Sequence, residues 1–190
     1  MNENIDEWQA YTRFRELLQQ NDIGIVKGIV KVKKLYDDSI IPTKGSAEAA
    51  GFDLYLHLDE NDTKSEVDSE GRRYIKIFPH ETVKLSTGIA VAIPYGYEGE
   101  VRPRSGLATK QGLRPANSPG TIDSDYRGEV FVALHKDPIG KITEPYSMLY
   151  NGDRIAQLLI KEVPPFILEE VDELDETERG AGGFGSTGTH

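Results

Sequence analysis

Residues 74–93, YIKIFPHETVKLSTGIAVAI, contain three short runs of β-branched and apolar residues separated by turn-forming residues. Pro79 and its neighbours separate Tyr74–Phe78 from Thr82–Leu85, and a third run follows at Gly88–Ile93. Short runs of this composition between Pro and Gly residues are typical of β-strands. The segment therefore predicts three successive strands.

The same pattern extends in both directions, beginning near Ile25. Further predicted strands are Gly99–Arg102, Gly128–Leu134, Ser147–Tyr150 and Ile155–Ile160. Many short strands at regular spacing indicate an all-β sandwich or barrel. No helix-length periodic segment falls between them, which disfavours a βαβ nucleotide-binding fold. We therefore predict one β domain over residues 25–168.

Residues 1–24 form a separate N-terminal extension. Within it, residues 3–20 are predicted to form an amphipathic helix, because apolar residues recur at spacings of three and four: Ile5, Trp8, Tyr11, Phe14 and Leu18. The helix either packs on its own domain or a neighbouring subunit, or it docks a protein partner.

Two acidic tracts interrupt the pattern. Residues 59–70, DENDTKSEVDSE, form an insert with six carboxylates and one lysine, which predicts a solvated hairpin or a mobile loop. Residues 169–178, EEVDELDETE, precede a glycine-rich end, so residues 169–190 are predicted to be an acidic linker and a flexible C-terminal arm. The insert is also a candidate contact for a protein partner.

Composition limits the function. The chain has 190 residues, a net charge of −10 and no cysteine. The negative charge argues against a nucleic-acid binder, because phosphate contacts supply most of that affinity. The absence of cysteine excludes disulfides and thiolate chemistry. No apolar run approaches the length of a membrane span, and the N-terminus lacks a signal-peptide layout, so a cytoplasmic protein without a membrane partner is expected.

Familiar catalytic signatures are missing. The sequence contains no P-loop and no G-x-S-x-G elbow. Its four histidines show no metal-ligand spacing, and they are predicted to be surface or rim residues: His57, His80, His135 and His190.

The candidate catalytic and binding residues lie in clusters of small and charged residues. Asp123 follows a Pro-Gly turn beside apolar Ile122, where a carboxylate could act as a general base or could cap its own turn. Arg104, Ser105 and Gly106 offer a guanidinium, a hydroxyl and an unobstructed backbone N–H, which suit phosphate oxygens.

The C-terminal cluster resembles a second phosphate clamp. Arg179 is followed by a glycine-rich segment containing Ser186 and Thr187. Such a tail is either disordered or a lid that orders over a ligand. Phe184 favours the lid, because a lone aromatic residue in a glycine tail could stack on a base.

Five blocks together resemble the motifs of the trimeric dUTPase family, in order and spacing. They are AGFDL (50–54), RPRSGLA (102–108), NSPGTIDSDYRG (117–128), NGDRIAQLL (151–159) and RGAGGFGSTG (179–188). The resemblance covers residues 30–189. It implies a jelly-roll-like (β-clip) subunit, a homotrimer with shared active sites, and hydrolysis of dUTP to dUMP and pyrophosphate. That activity keeps uracil out of DNA and supplies dUMP for thymidylate synthesis.

The resemblance also implies a role for each site residue. Asp123 would activate water for attack on the α-phosphorus, and Asp53 would touch a triphosphate-borne Mg²⁺ through water. Tyr126 would pack on the deoxyribose. The remaining expected substrate contacts fall into three sets: Asn117, Thr121, Ile122 and Phe131 for uracil; Arg104, Ser105, Gly106 and Gln157 for the phosphates; and Arg179, Phe184, Gly185, Ser186 and Thr187 on the closing arm.

Two alternatives stand beside this interpretation. Deamination of dCTP is possible on the same fold, although the enzymes that catalyse it use Glu near the position of Asp123 and lack the Phe-Gly-Ser tail. A nucleotide-responsive regulatory protein is the other, in which arm closure would switch a partner contact. Asp153 and Arg154 are predicted to form structural or intersubunit ion pairs.

Overall fold

The computed structural model describes residues 28–138 and 145–183, which are built mainly of antiparallel β-strands. The strands are β1 (Lys31–Lys34), β2 (Thr43–Lys44), β3 (Phe52–Tyr55), β4 (Ser65–Val67), β5 (Arg73–Ile77), β6 (Thr82–Ala92), β7 (Tyr97–Arg102), β8 (Leu113–Pro115), β9 (Gly120–Ile122), β10 (Glu129–Lys136), β11 (Ser147–Tyr150) and β12 (Arg154–Glu162). One short helix, α1 (Ser105–Gln111), lies between β7 and β8. The predicted helix over residues 3–20 lies outside the described residues.

The strands form three sheets. Their orders are β1-β6-β10-β8, β11-β5-β4 and β2-β3-β12-β7-β9. All described pairings are antiparallel. The prediction of an all-β fold is therefore confirmed.

All three sheets contribute to one apolar core. Leu134 comes from the first sheet, Ile77 from the second, and Leu54 from the third, and each is completely buried. Along β10, buried residues alternate with more exposed ones, as expected when one face of a sheet packs inward. The core fixes the outward faces on which the candidate site residues lie.

Strand β6 was predicted as two strands but is continuous. Thr82–Leu85 and residues 88–92 belong to one strand with a bulge between them, and Ile93 lies just beyond its end. Val132 lies opposite Leu85, whereas Glu129 lies opposite Ala90, so the register shifts by two residues across the bulge. Because side chains alternate with a period of two, a shift of two keeps the core-facing set on the same side.

Two further expectations were wrong. The segment Ser105–Gln111 was not predicted to be helical, yet it forms α1 and ends at Gly112 with a left-handed backbone. His57 is not a surface residue: it is 4% exposed, its Nε2–H donates to the Asp38 carboxylate at 3.0 Å, and its ring stacks on Tyr36.

The acidic insert contains a hairpin. Strand β4 pairs with β5, and the Asp68 carboxylate accepts hydrogen bonds at 2.9 Å from the backbone N–H groups of Glu70 and Arg72 across the turn. Residues 163–183 contain no strand or helix and are mostly exposed. No helix in the part of the chain that the structure describes has the length and apolar character needed to span a membrane.

Candidate active site

The turn that joins β9 to β10 shapes the first half of the site; the two strands belong to different sheets, and we call residues 120–131, which contain this turn, the hairpin. Its turn is closed by a hydrogen bond from the Tyr126 N–H to the Asp123 carbonyl at 3.1 Å. The Tyr126 hydroxyl then donates to the Glu129 carbonyl at 2.9 Å, so the ring lies across its own turn. A β-carbon at Gly128 would be 2.4 Å from that hydroxyl oxygen, which explains why the turn requires glycine there.

A pocket of about 300 Å³ opens against this hairpin. The structure brings together five predicted site residues in its lining: Thr121, Ile122, Asp123, Tyr126 and Phe131. The Asp123 side chain is exposed, so its carboxylate is accessible to water. The pocket therefore joins a solvated carboxylate to two aromatic side chains.

Sequence reasoning did not select three residues of this lining: Lys84, Glu129 and Val130. Lys84 places its ammonium 3.7 Å from the centre of the Phe131 ring, a cation–π contact. Glu129 also lines the pocket. Asn117 is not among the lining residues; its side chain lies beside Gly120, where a β-carbon would be 3.2 Å from the amide nitrogen.

The second half of the site is a charged cluster around Asp53. This carboxylate is 3% exposed and pairs with the Arg104 Nε at 3.0 Å and with an Arg154 terminal nitrogen at 3.3 Å. Arg104 also donates to the Arg154 carbonyl at 3.3 Å. The expected ion pair of Arg154 is thus made to a predicted site residue, whereas Asp153 accepts from the Tyr150 N–H at 2.8 Å.

The other predicted phosphate residues surround this cluster. Ser105 and Gly106 form the first turn of α1, where backbone N–H groups have no intrahelical partner. Gln157 lies directly opposite Asp53 on β3 and opposite Arg102 on β7. The fixed Arg104 guanidinium, the hydroxyl and the N–H groups form a set of donors suited to an anion.

The two halves lie on one face of the five-stranded sheet. Thr121 is opposite Glu100 on β7, and Gln157 is opposite Arg102 on the same strand. Opposed residues of antiparallel strands project to the same side, as do residues two apart on one strand. Within residues 28–138 and 145–183, no hydrogen bond or ion pair between side chains joins the two halves.

Charge on this face is locally balanced. Hydrogen bonds from Lys161 and Arg102 hold the pKa of the Glu100 carboxyl below its usual range, so Glu100 is ionised between two cations. Among the described residues, no three His, Cys, Asp or Glu side chains are grouped so as to hold a metal ion.

The structure describes only the first of the predicted arm residues. The Arg179 Nε donates to the Gly182 carbonyl at 2.8 Å within the arm itself. Phe184, Gly185, Ser186 and Thr187 lie outside the described residues.

The chain is similar to known proteins over most of its length. A protein-family model described as dUTPase matches residues 37–188. A deoxyuridine 5'-triphosphate nucleotidohydrolase from Wolbachia pipientis subsp. Culex pipiens is 45% identical over 163 residues, covering 84% of this chain and 95% of the relative. One from Syntrophotalea carbinolica is 46% identical over 159 residues, covering 84% of this chain and 96% of that protein.

Solved structures show the same fold. A variant of the dUTPase of Staphylococcus bacteriophage 80alpha, with dUpNHpp, superposes with a TM-score of 0.67 at 24% identity, covering 85% of this chain and 99% of that one. A dUTPase variant from phage phi11 of S. aureus, whose structure concerns the coordination of a structural Mg(II) ion, gives a TM-score of 0.61 at 21% identity, covering 78% of this chain and 100% of that one.

The fold and the relatives thus define a β-rich nucleotide hydrolase. The chain belongs to the dUTPase family. It is an enzyme of nucleotide metabolism, a dUTP diphosphatase that hydrolyses dUTP to dUMP.

Proposed function

We propose that the chain hydrolyses dUTP at the α-phosphorus, with Asp123 as the general base that activates the attacking water. The observation that carries this proposal is the hairpin pocket, where the exposed carboxylate lies beside Tyr126 and Thr121. A general base must reach both solvent water and the reacting centre, and an exposed carboxylate at the rim of a ligand pocket meets the first condition.

The pocket supports recognition of a deoxyribonucleoside. The Tyr126 ring would pack against the deoxyribose and leave no room for a 2′-hydroxyl. The backbone around Thr121 and Ile122, with Asn117, would hydrogen-bond the edge of uracil, and Phe131 would add a main-chain contact. Cytosine would leave a buried polar group unpaired, which costs about 1–3 kcal/mol.

The Asp53 cluster supports binding of the phosphate chain. Asp53 holds the Arg104 guanidinium in place at 3.0 Å, so Arg104 loses little freedom when it meets an anion. Ser105, Gly106 and Gln157 would add donors around the same phosphates. Arg179 would reach the γ-phosphate, Phe184 would cap the base, and the segment Gly185–Thr187 would complete the clamp.

The donor set fits a magnesium ion that is carried mainly by the triphosphate. Asp53 offers the one carboxylate at the phosphate cluster, and it already accepts from Arg104 and Arg154. Contact with the ion through water, rather than direct ligation, is compatible with those bonds, since Mg²⁺ usually keeps several waters. The ion would supply charge neutralisation on the phosphates.

Exposed apolar residues support a homotrimer with shared sites. After Pro164 and Pro165, the side chains of Phe166, Ile167 and Leu168 are 85%, 97% and 97% exposed. A largely apolar cavity of about 460 Å³ lies at the edge of the core, lined in part by Val30, Phe52, Leu158 and Ile160. We infer that the arm of one subunit covers this cavity on a neighbour and thereby carries residues 179–187 towards a neighbouring site.

Hydrolysis of three nucleotides by the purified full-length chain tests the function. With Mg²⁺ present, dUTP should yield dUMP and pyrophosphate, while UTP and dCTP should react far more slowly. Product chromatography identifies each outcome. Release of ammonia from dCTP would favour the deaminase alternative, and equal rates with UTP would contradict the role of the hairpin pocket.

A further inference from the structure

The bulge in β6 lies behind the hairpin pocket and is held firmly on its far side. Gly88 has a φ of 66°, and its carbonyl accepts from the Leu35 N–H at 2.8 Å. The Ser86 carbonyl accepts from the N–H of buried His57 at 3.0 Å. The bulge is therefore fixed to the residue that follows β1 and to the segment that carries His57.

One residue of the hairpin is bonded to this bulge. The Glu129 Oε1 accepts from the Gly88 N–H at 3.0 Å and also from the Ser86 hydroxyl. The Glu129 carbonyl accepts from the Tyr126 hydroxyl at 2.9 Å. Glu129 thus joins the fixed bulge at one end to the aromatic ring of the pocket at the other. We name Ser86, Gly88 and Glu129 the bulge clasp.

The two bonds to the carboxylate are stronger than ordinary ones. Hydrogen bonds to an ionised acceptor are about twice as strong as neutral ones, and two donors that converge on one oxygen fix its position. The carbonyl that holds Tyr126 belongs to the same residue, so its position depends on where the clasp holds the carboxylate. A shift of the Glu129 backbone would move the acceptor of the Tyr126 hydroxyl and tilt the ring.

We propose that the bulge clasp is a positioning device, in which Ser86 and Glu129 fix the Tyr126 ring and thereby set discrimination between deoxyribose and ribose. The proposal rests on the proposed function of Tyr126. Ser86 is the informative member, because it does not line the hairpin pocket, whereas Glu129 does. The Ser86 side chain bonds to Glu129 and accepts from the Gly88 N–H at 3.0 Å, so removing its hydroxyl acts directly on the bulge clasp.

The matched control is another hydroxyl on the same strand. The Thr82 hydroxyl bonds to the His135 ring at 2.9 Å and, like Ser86, links β6 to β10, but it lies at the opposite end of that pairing. The variants Ser86→Ala and Thr82→Ala each remove one hydroxyl from the same strand pair. Glu129→Gln keeps an acceptor oxygen, and Glu129→Ala removes it.

The readout is the ratio of kcat/KM for dUTP to kcat/KM for UTP. In Ser86→Ala and Glu129→Ala we expect the ratio to fall by about fivefold or more, the effect of losing one hydrogen bond. Thr82→Ala should retain the wild-type ratio, and Glu129→Gln should lower it less than Glu129→Ala does, because the amide oxygen still accepts but carries no charge. A wild-type ratio in both Ser86→Ala and Glu129→Ala would overturn the proposal, and so would an equal fall in Thr82→Ala.

A second measurement is independent of activity. Amide hydrogen exchange in peptides spanning residues 126–131 should accelerate in Ser86→Ala and stay at the wild-type rate in Thr82→Ala. If the wild type fails to hydrolyse dUTP, the proposed function fails, while exchange still tests the clasp. Unchanged exchange in Ser86→Ala would show that the hydroxyl does not hold the hairpin.

Discussion

Gly88→Ala tests whether the bulge in β6 has the close packing described above. An added β-carbon would be 2.4 Å from the Ser39 hydroxyl oxygen and 3.0 Å from Cγ of His57, and the backbone φ is 66°. The left-handed backbone costs a non-glycine residue about 1–2 kcal/mol. Overpacking against buried neighbours adds about 1–3 kcal/mol. We expect the free energy of unfolding to fall by about 2–5 kcal/mol from the two effects together.

Gly71→Ala separates these two contributions. Gly71 has a φ of 79°, but an added β-carbon would meet nothing within 4 Å. Both variants lose the same backbone freedom in the unfolded chain, so that contribution cancels in their difference. Gly88→Ala should therefore be less stable than Gly71→Ala by the overpacking cost alone, about 1–3 kcal/mol.

Urea unfolding followed by far-ultraviolet circular dichroism measures the difference. With a slope near 2 kcal/mol per molar urea, the midpoint of Gly88→Ala should lie about 0.5–1.5 M below that of Gly71→Ala. Protein concentration must be equal throughout, because subunit association adds to apparent stability. Coincident midpoints for the two variants would refute the packing described at the bulge.

Three further predictions concern charge and assembly. Hydrogen bonds from Arg114, at 2.6 and 3.2 Å, lower the pKa of Asp137, so Asp137→Asn should be less stable than wild type at neutral pH. The difference in stability should vanish in acid, because falling pH protonates Asp137 in the wild type. Urea midpoints measured across pH test this. Asp53→Asn should lower the free energy of unfolding by about 2–3 kcal/mol and raise KM for dUTP, because Arg104 loses a charged partner. Urea unfolding tests the first effect and steady-state kinetics the second. Ile167→Asp should weaken the proposed trimer, which analytical ultracentrifugation measures, and equally strong association in this variant would contradict arm exchange.

Strand positions could be predicted well where side chains alternate. Ser147–Tyr150 forms β11 with the predicted bounds, and Ile155–Ile160 lies within β12. The break predicted between Leu85 and Gly88 was wrong because Ser-Thr-Gly is turn-like in composition, and β6 uses it for a bulge instead. Helix α1 escaped prediction since seven residues are too few to show helical periodicity.

The candidate site, like the fold, could be predicted only in part from the sequence. The family resemblance named Asp123, Tyr126 and Thr121, and the structure brings them together in one pocket. Lys84 and Glu129 could not be selected as site residues from the sequence, because charged residues are common at exposed strand positions. Their importance depends on pairing across strands, which a single sequence does not reveal.

The central claim, that Asp123 activates water in the hairpin pocket, is tested most directly by single-turnover hydrolysis of dUTP. Asp123→Asn should slow the chemical step by about 10²–10⁴-fold while still binding dUTP, because the amide preserves shape but cannot accept the proton. Asp125→Asn is the matched control; it is exposed in the same turn, does not line the pocket, and should react at the wild-type rate. Wild-type turnover in Asp123→Asn, or an equal loss in Asp125→Asn, would contradict the assignment.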